Sequence, residues 1–205
     1  MDAKLLAWAR AEAGRRNRPR GLPSLWLFTD ARRLADPRPV VARLPKGLAG
    51  VVLRHDLDPA RAALGRDLAR ICRARRLCLV VAGDSRLAAA LGAGMHLRGG
   101  RWPAGAPVLP HRRLQALVTS SAHNPAELLR AARAGADLAF LSPAFATGSH
   151  PGAAVLGPLR WGRFSHGARL PVAALGGVGG ATVRRLPRGL CRAAGAIEAL
   201  ADRIR

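Results

Sequence analysis

The chain has no tyrosine, and aromatic residues make up only 4% of it. A surface that binds single-stranded nucleic acid stacks bases on such rings, and few are on offer here. Cysteine is equally scarce: Cys72, Cys78 and Cys191 are odd in number and form no close pair with metal-ligand or redox spacing. This argues against a disulfide framework and for a reducing compartment, so a cytoplasmic protein is expected. Long hydrophobic runs are missing too. The apolar stretch Leu5 to Ala9 is broken by Arg10, Glu12, Arg15 and Arg16, too short for a signal-peptide core or a membrane span, and no membrane partner is expected. Negative charge is the last scarcity: 12 acidic residues face 34 basic ones, for a net charge of +22. Only Lys4 and Lys46 are lysines. Such a surface attracts anions, but the arginines are spread from Arg10 to Arg205 rather than gathered in a stripe. A nucleic-acid partner is therefore not expected, and the excess reads as the bias of a chain rich in Ala, Gly, Arg and Pro.

What is present is a substantial apolar fraction. With 49% hydrophobic and 22% charged residues over 205 positions, the chain can bury a core and form one domain, as a monomer or homodimer. Residues 1–22 read as a lead-in helix and linker, broken at Arg18-Pro19-Arg20-Gly21, and 23–205 as the domain proper. Short apolar runs recur every ~20 to 30 residues, with helical patterns between them. They are Leu25 to Thr29, Leu48 to Leu53, Leu77 to Ala82, Gly94 to Leu97, Ala116 to Thr119, Leu138 to Leu141, Val172 to Leu175 and Leu190 to Ala194. Eight continuous runs match the strands of a (β/α)8 TIM barrel, whose parallel strands are covered on both faces; open doubly wound sheets share that continuity. Helices are expected at Pro59 to Arg75, at Pro125 to Ala134 and at Ile197 to Ile204. The second has Asn124 as N-cap, Glu127 completing a capping-box-like start and Gly135 as C-cap. Gly99 to Pro110 and Gly148 to Pro158 are the two long irregular segments, of the kind that carries function.

The clearest chemical signal is Pro171-Val-Ala-Ala-Leu-Gly-Gly-Val178, a buried strand running into paired glycines before a helical stretch. Glycines there let backbone N–H groups approach an anion, and in a barrel the loops after strands seven and eight are the usual phosphate site. Gly176, Gly177 and, in the last βα turn, Gly195 are the candidate cradle; the plainer reading is that they serve tight turns. Asp30, Arg54, His55, Asp84, His96, Ser121, His123, Thr147 and His150 all fall at or past the ends of successive runs, the rim where barrel catalysts stand. Four histidines on the rim raise the question of a metal. No pair has the spacing of a helical zinc site, and a magnesium held by Asp84 and ligand phosphates suits the residues better.

Taken in order, these residues resemble the thiamine phosphate synthase family, which includes the thiazole tautomerases. The landmarks are Leu27-Phe28-Thr29-Asp30, Val52-Leu53-Arg54, Gly83-Asp84, Gly92-Ala-Gly-Met-His-Leu97, Ser121-Ala-His123, Gly135-Ala-Asp137, Ser142-Pro143-Ala-Phe145-Ala-Thr147 and Gly176-Gly177-Val178. The resemblance spans Leu25 to Leu200. It implies a barrel that joins hydroxymethylpyrimidine diphosphate to thiazole phosphate and releases diphosphate with magnesium's help. On that footing Arg54 contacts the diphosphate, Asp84 binds magnesium, Ser121 touches the diphosphate or the reacting centre, and Gly177 and Gly195 cradle the thiazole phosphate. Thr147, His150, Arg101 and Gly176 join the substrate-binding set, and His123 matches the acid/base histidine of the tautomerases.

Several family positions differ. Val52 stands for a glutamine, Asp56 for a lysine, Gly83 for an asparagine, His150 for a lysine and Gly195 for a serine, and a second magnesium-binding aspartate falls where Arg101 stands, with Arg98 close by. Either the arginines take over the metal's charge, or the diphosphate half-site has decayed, leaving a tautomerase-like enzyme that uses His123 or a non-catalytic phosphate-ligand binder.

Overall fold

A computed structural model describes residues 1–16, 21–105, 117–148, 152 and 154–201. Eight parallel strands, each hydrogen-bonded to the next and the last to the first, close a barrel. They are β1 (Leu25–Phe28), β2 (Ala49–Leu53), β3 (Cys78–Ala82), β4 (Gly94–Leu97), β5 (Val118–Ala122), β6 (Leu138–Leu141), β7 (Val172–Ala174) and β8 (Cys191–Ala196). The helices among the described residues are α1 (Ala3–Ala13), α2 (Arg38–Arg43), α3 (Arg61–Arg75), α4 (Ser85–Leu91), α5 (Pro125–Arg133), α6 (Gly157–His166) and α7 (Gly180–Val183).

Strand residues alternate between two cores, because successive side chains point to opposite faces. Trp26, Phe28, Val52, Val80, Ala82, Leu138, Phe140, Ala173 and Ala193 fill the barrel interior. Leu25, Leu27, Val51, Leu53, Val81, Met95, Leu97, Ala139 and Leu141 pack outward under the helices. Inside, Phe28 and Phe140 meet edge to face at 4.8 Å, and Trp26 and Phe140 at 5.5 Å, an arrangement worth about 0.5–1.5 kcal/mol per pair beyond area burial. Gly50 makes room for this layer: a Cβ there would come within 2.6 Å of the Trp26 ring.

The same alternation continues past the strand ends and decides which rim residues face the mouth. Arg54 follows Val52 inward; His123 follows Thr119 and Ser121; Gly195 follows Ala193. His55 has the opposite phase and is buried on the outer side, its Nδ1 2.9 Å from Thr29 Oγ1.

Most boundaries differ from the sequence reading by no more than two residues, and three differences matter for the site. The fifth strand is not Ala116 to Thr119 but Val118–Ala122, running on through Thr119, Ser120 and Ser121. Polar residues sit in a barrel strand here because each hydroxyl has a partner: Thr119 with His96 Nδ1, Ser120 with the Gly100 amide and Ser121 with the Gly99 amide. The last strand reaches Ala196, so Gly195 lies within β8 rather than at its turn. A Cβ at Gly195 would approach Phe28 and Leu175 to 2.9 and 3.0 Å, so close packing, not a left-handed turn, requires glycine there. Finally, residues 197–201 form turns rather than the start of the expected helix Ile197 to Ile204, whose remainder lies outside the described residues. The α5 N-cap is as expected, Asn124 Oδ1 accepting from the Glu127 amide at 2.9 Å, but the Glu127 carboxylate accepts from the His123 amide instead of closing a box with Asn124; Gly135 follows the helix with φ +78°. No helix of the described residues is long and apolar enough to cross a membrane.

Candidate active site

A cavity of about 540 Å³ opens at the C-terminal mouth of the barrel, on the side of β7 and β8. Its wall includes Phe28, Arg54, His123, Thr147, Leu175, Gly176, Gly177 and Gly195, together with Ile197 and Glu198. Six residues singled out in the sequence (Arg54, His123, Thr147, Gly176, Gly177 and Gly195) therefore meet in one space.

The glycine turn after β7 is built for backbone exposure. Gly176 and Gly177 hold φ of +86° and +62°, in the left-handed region that disfavours side chains. A Cβ on Gly176 would come within 2.9 Å of Pro143 Cα, and one on Gly177 would collide with the Ala146 carbonyl. Their carbonyls are used, Gly176 O by the Phe145 amide and Gly177 O by Thr182 Oγ1. The N–H groups of Gly176, Gly177 and Val178 donate to no protein acceptor among the described residues, and neither do those of Ile197, Glu198 and Ala199 beyond β8. Two clusters of free amides on adjacent strand ends thus line one cavity, a concavity suited to phosphate oxygens.

Asp2 ties the two clusters together, and sequence reasoning missed it. Its amide donates to Ala199 O at 2.8 Å, and its Oδ2 accepts from the Gly180 amide at 2.7 Å. Burial would raise the carboxyl's pKa, but amide hydrogen bonds from Gly180, Leu5 and Lys4 outweigh it and hold the group below the usual carboxylate range. An Asp preceding a helix signals the N-cap of α1; nothing local signals a contact 178 residues away.

His123 stands at the edge of the same cavity on a rigid mount. Its backbone amide donates to Glu127 Oε2 at 2.8 Å, and its Nδ1 lies 2.9 Å from the Ser142 carbonyl oxygen. A carbonyl only accepts, so Nδ1 carries the proton and Nε2 presents a lone pair. In its neutral form the ring is thereby a base with its tautomer fixed.

The remaining candidates stand elsewhere. Asp84 caps α4 by accepting from the Leu87 amide at 2.9 Å, and its second oxygen is 3.7 Å from Arg61 Nη1. Ser121 accepts from the Gly99 amide, and Arg101 closes the turn after β4 with its amide on Arg98 O. None of the three lines the cavity. Asp30 is a turn former: it accepts from the Arg32 and Arg33 amides and pairs with the Arg33 guanidinium at 3.3 Å. His96 is buried inside the barrel, edge-on to Phe28, its pKa pushed down to about 3 by burial and then by the charges of Arg54 and Arg98. It is a neutral packing residue. His150 lies outside the described residues.

Magnesium does not fit what is here. Among the described residues no three His, Cys, Asp or Glu side chains group as a cation site. Asp84 is committed to a helix cap and an arginine, and Asp56, next along the rim, pairs with Arg98 at 2.7 Å and Arg61 at 3.4 Å.

The closed parallel barrel, with helices between its strands, defines a (β/α)8 protein. The family model for thiamine monophosphate synthase (TMP-TENI) matches residues 26–200, and the chain belongs to that family. Among solved structures it is similar to a thiamine phosphate pyrophosphorylase from Pyrococcus furiosus, with 22% identity, 87% of this chain and 88% of that one covered, and a TM-score of 0.68. It also resembles a 3-keto-L-gulonate-6-phosphate decarboxylase from Vibrio cholerae, with 13% identity, coverage of 88% and 90%, and a TM-score of 0.57. A 2-keto-3-deoxy-6-phosphogluconate aldolase of Zymomonas mobilis matches at 14% identity, 86% and 81% coverage, and a TM-score of 0.56. At these identities the structures speak to the fold alone. No curated protein matches.

Proposed function

We propose that this protein is an enzyme of thiamine biosynthesis that binds a thiazole phosphate and moves a proton on its ring, in the manner of the thiazole tautomerases. One observation carries the reading: the His123 imidazole, with Nδ1 committed to Ser142 O, borders the same cavity as the free amides of Gly176 to Val178 and Ile197 to Ala199. The amides hold the phosphate, and Leu175 and Phe28 offer apolar wall to the heterocycle. Nε2 takes a proton from one carbon of the bound ring, and the proton returns to a second position. No heavy-atom bond breaks, and neither metal nor redox partner is needed. General acid–base work of this kind by a positioned histidine is worth about 10²- to 10⁴-fold in rate.

The test is aromatisation of the phosphorylated thiazole precursor, followed by absorbance. His123→Asn should lower kcat by about 10²-fold or more while KM changes by less than about threefold. Equal rates in wild type and variant would remove the reading.

The second reading is the synthase reaction, and Arg54 favours it. Its side chain enters the cavity with no acidic partner among the described residues, placed for a second anionic group. Purified protein mixed with both phosphorylated precursors, with and without magnesium, decides the matter: thiamine phosphate no higher than in the protein-free control eliminates it.

A further inference from the structure

Across the mouth from the glycine turn, the ends of β2, β3 and β4 carry charges that proton transfer leaves unused. Arg98, just past β4, reaches over the end of β3 to Asp56, just past β2, with Nη2 to Oδ2 at 2.7 Å. Its guanidinium lies on Gly83: a Cβ there would come within 3.2 to 3.3 Å of Nε, Cζ and Nη2. Asp56, Gly83 and Arg98 thus form one unit of counter-ion, seat and guanidinium, and the first two are departures from the family pattern.

The neighbouring charges fit around it. Arg61, 14% exposed, pairs with Asp56 and Asp84 and donates to the Ala82 carbonyl. Both carboxylates are therefore held by arginines, and neither is left for a hard cation. Arg61 and Arg98 hold these two carboxylates, and Arg54 adds a third guanidinium to the same rim, which leaves it with excess positive charge. Arg98 is 61% exposed, and its single ion pair is made through Nη2; Arg54 has no acidic partner among the described residues. Arg54 stands just past β2, two residues before the Asp56 that holds Arg98, so both belong to the same stretch of rim. Arg98 is also rigidly mounted. It pairs with Arg101 across the Gly99-Gly100 turn, and that turn is pinned by Ser120, Ser121 and the Arg130 guanidinium.

We propose that Arg98, seated on Gly83 and anchored by Asp56, takes the place of a divalent cation at this rim and forms with Arg54 a metal-free seat for a second oxyanion of the ligand. A guanidinium fork grips two oxygens at once, so the chemistry is that of a diphosphate or a carboxylate. The seat rests on the reading above only in sharing the phosphorylated ligand, whose first phosphate occupies the glycine turn.

The experiment is calorimetric titration of the whole chain, stripped of metal beforehand, with thiazole phosphate present to fill the glycine turn. Inorganic diphosphate is the probe in one arm and malonate in the other, which separates the two sources of oxyanion. At least one should bind, with a Kd that added magnesium changes by less than about twofold, and Arg98→Ala should weaken it by about tenfold or more. Arg98→Lys should fall between, since it keeps the charge and loses the fork; it carries the test if Arg98→Ala does not fold. Both Arg98 variants should still shift the Gly176 and Gly177 amides when thiazole phosphate is added, so the two sites fail separately. Binding only with magnesium, no binding of either probe, or wild-type affinity in both Arg98 variants would overturn the proposal.

Discussion

The two halves of the barrel mouth present hydrogen-bond donors by different means. On the β7 and β8 side the wall is glycine and free amide, and the donors are backbone groups fixed by φ angles that other residues resist. On the β2 to β4 side the donors are guanidinia, held in place by carboxylates. The first half is pre-organised by chain geometry and should lose ligand affinity when a methyl group is added. The second depends on charge balance and should tolerate change of shape better than change of sign.

The largest expected effect breaks the first half. Gly177→Ala forces a left-handed residue and a collision with the Ala146 carbonyl, so thiazole phosphate affinity measured by calorimetry should fall by about 100-fold or more. Strain of this kind costs on the order of 1–3 kcal/mol, and the melting temperature should drop with it. Ordinary binding by Gly177→Ala would equate the halves.

The next effect belongs to the charged half. His96 is neutral in the fold, with a pKa near 3, and ordinarily titrates near 6.5. The unfolded chain therefore binds the extra proton between these values, and stability falls as the pH drops from about 6.5 toward 3. Each tenfold difference in proton affinity between the folded and unfolded chain is worth about 1.4 kcal/mol, so the loss reaches several kcal/mol. Denaturant titrations at pH 7 and pH 4 should show it, and His96→Phe should flatten the slope if that variant folds. An unchanged slope would mean that burial, with the charges of Arg54 and Arg98 behind it, does not hold this ring neutral.

A smaller effect concerns the clamp between the two amide clusters. Asp2→Ala removes the cap of α1 and the bond to Gly180, and a lost cap costs about 1 kcal/mol. Inorganic phosphate should nevertheless bind slightly tighter, by about threefold, because a carboxylate leaves the cavity wall. Weaker phosphate binding would make Asp2 a support of the cradle rather than a competing charge.

Much of this architecture was legible in the residues. Apolar runs marked seven strands nearly to their ends, and Asn124, Glu127 and Gly135 marked α5. The fifth strand was obscured because its Thr-Ser-Ser core looks like a loop until His96, Gly99 and Gly100 arrive from β4 to satisfy it. Inward-facing rim residues could be picked out because strand alternation is local: Arg54, His123 and the glycines meet as the pattern implies. Asp84 and Ser121 could not be resolved that way, since a helix cap and a propped turn use the same residue types as a metal or phosphate site. Asp2 was invisible as a site residue because its partner is 178 positions distant.

Whether the free amides after β7 and β8 hold the ligand's phosphate beside His123 is tested most directly by amide chemical shifts of the isotope-labelled protein, titrated with thiazole phosphate. The largest changes are expected at Gly176, Gly177, Val178, Ile197 and Glu198, with the His123 ring following at the same ligand concentration. Saturable changes confined to Gly83, Arg98 and Gly99, with the glycine turn silent, would contradict this assignment.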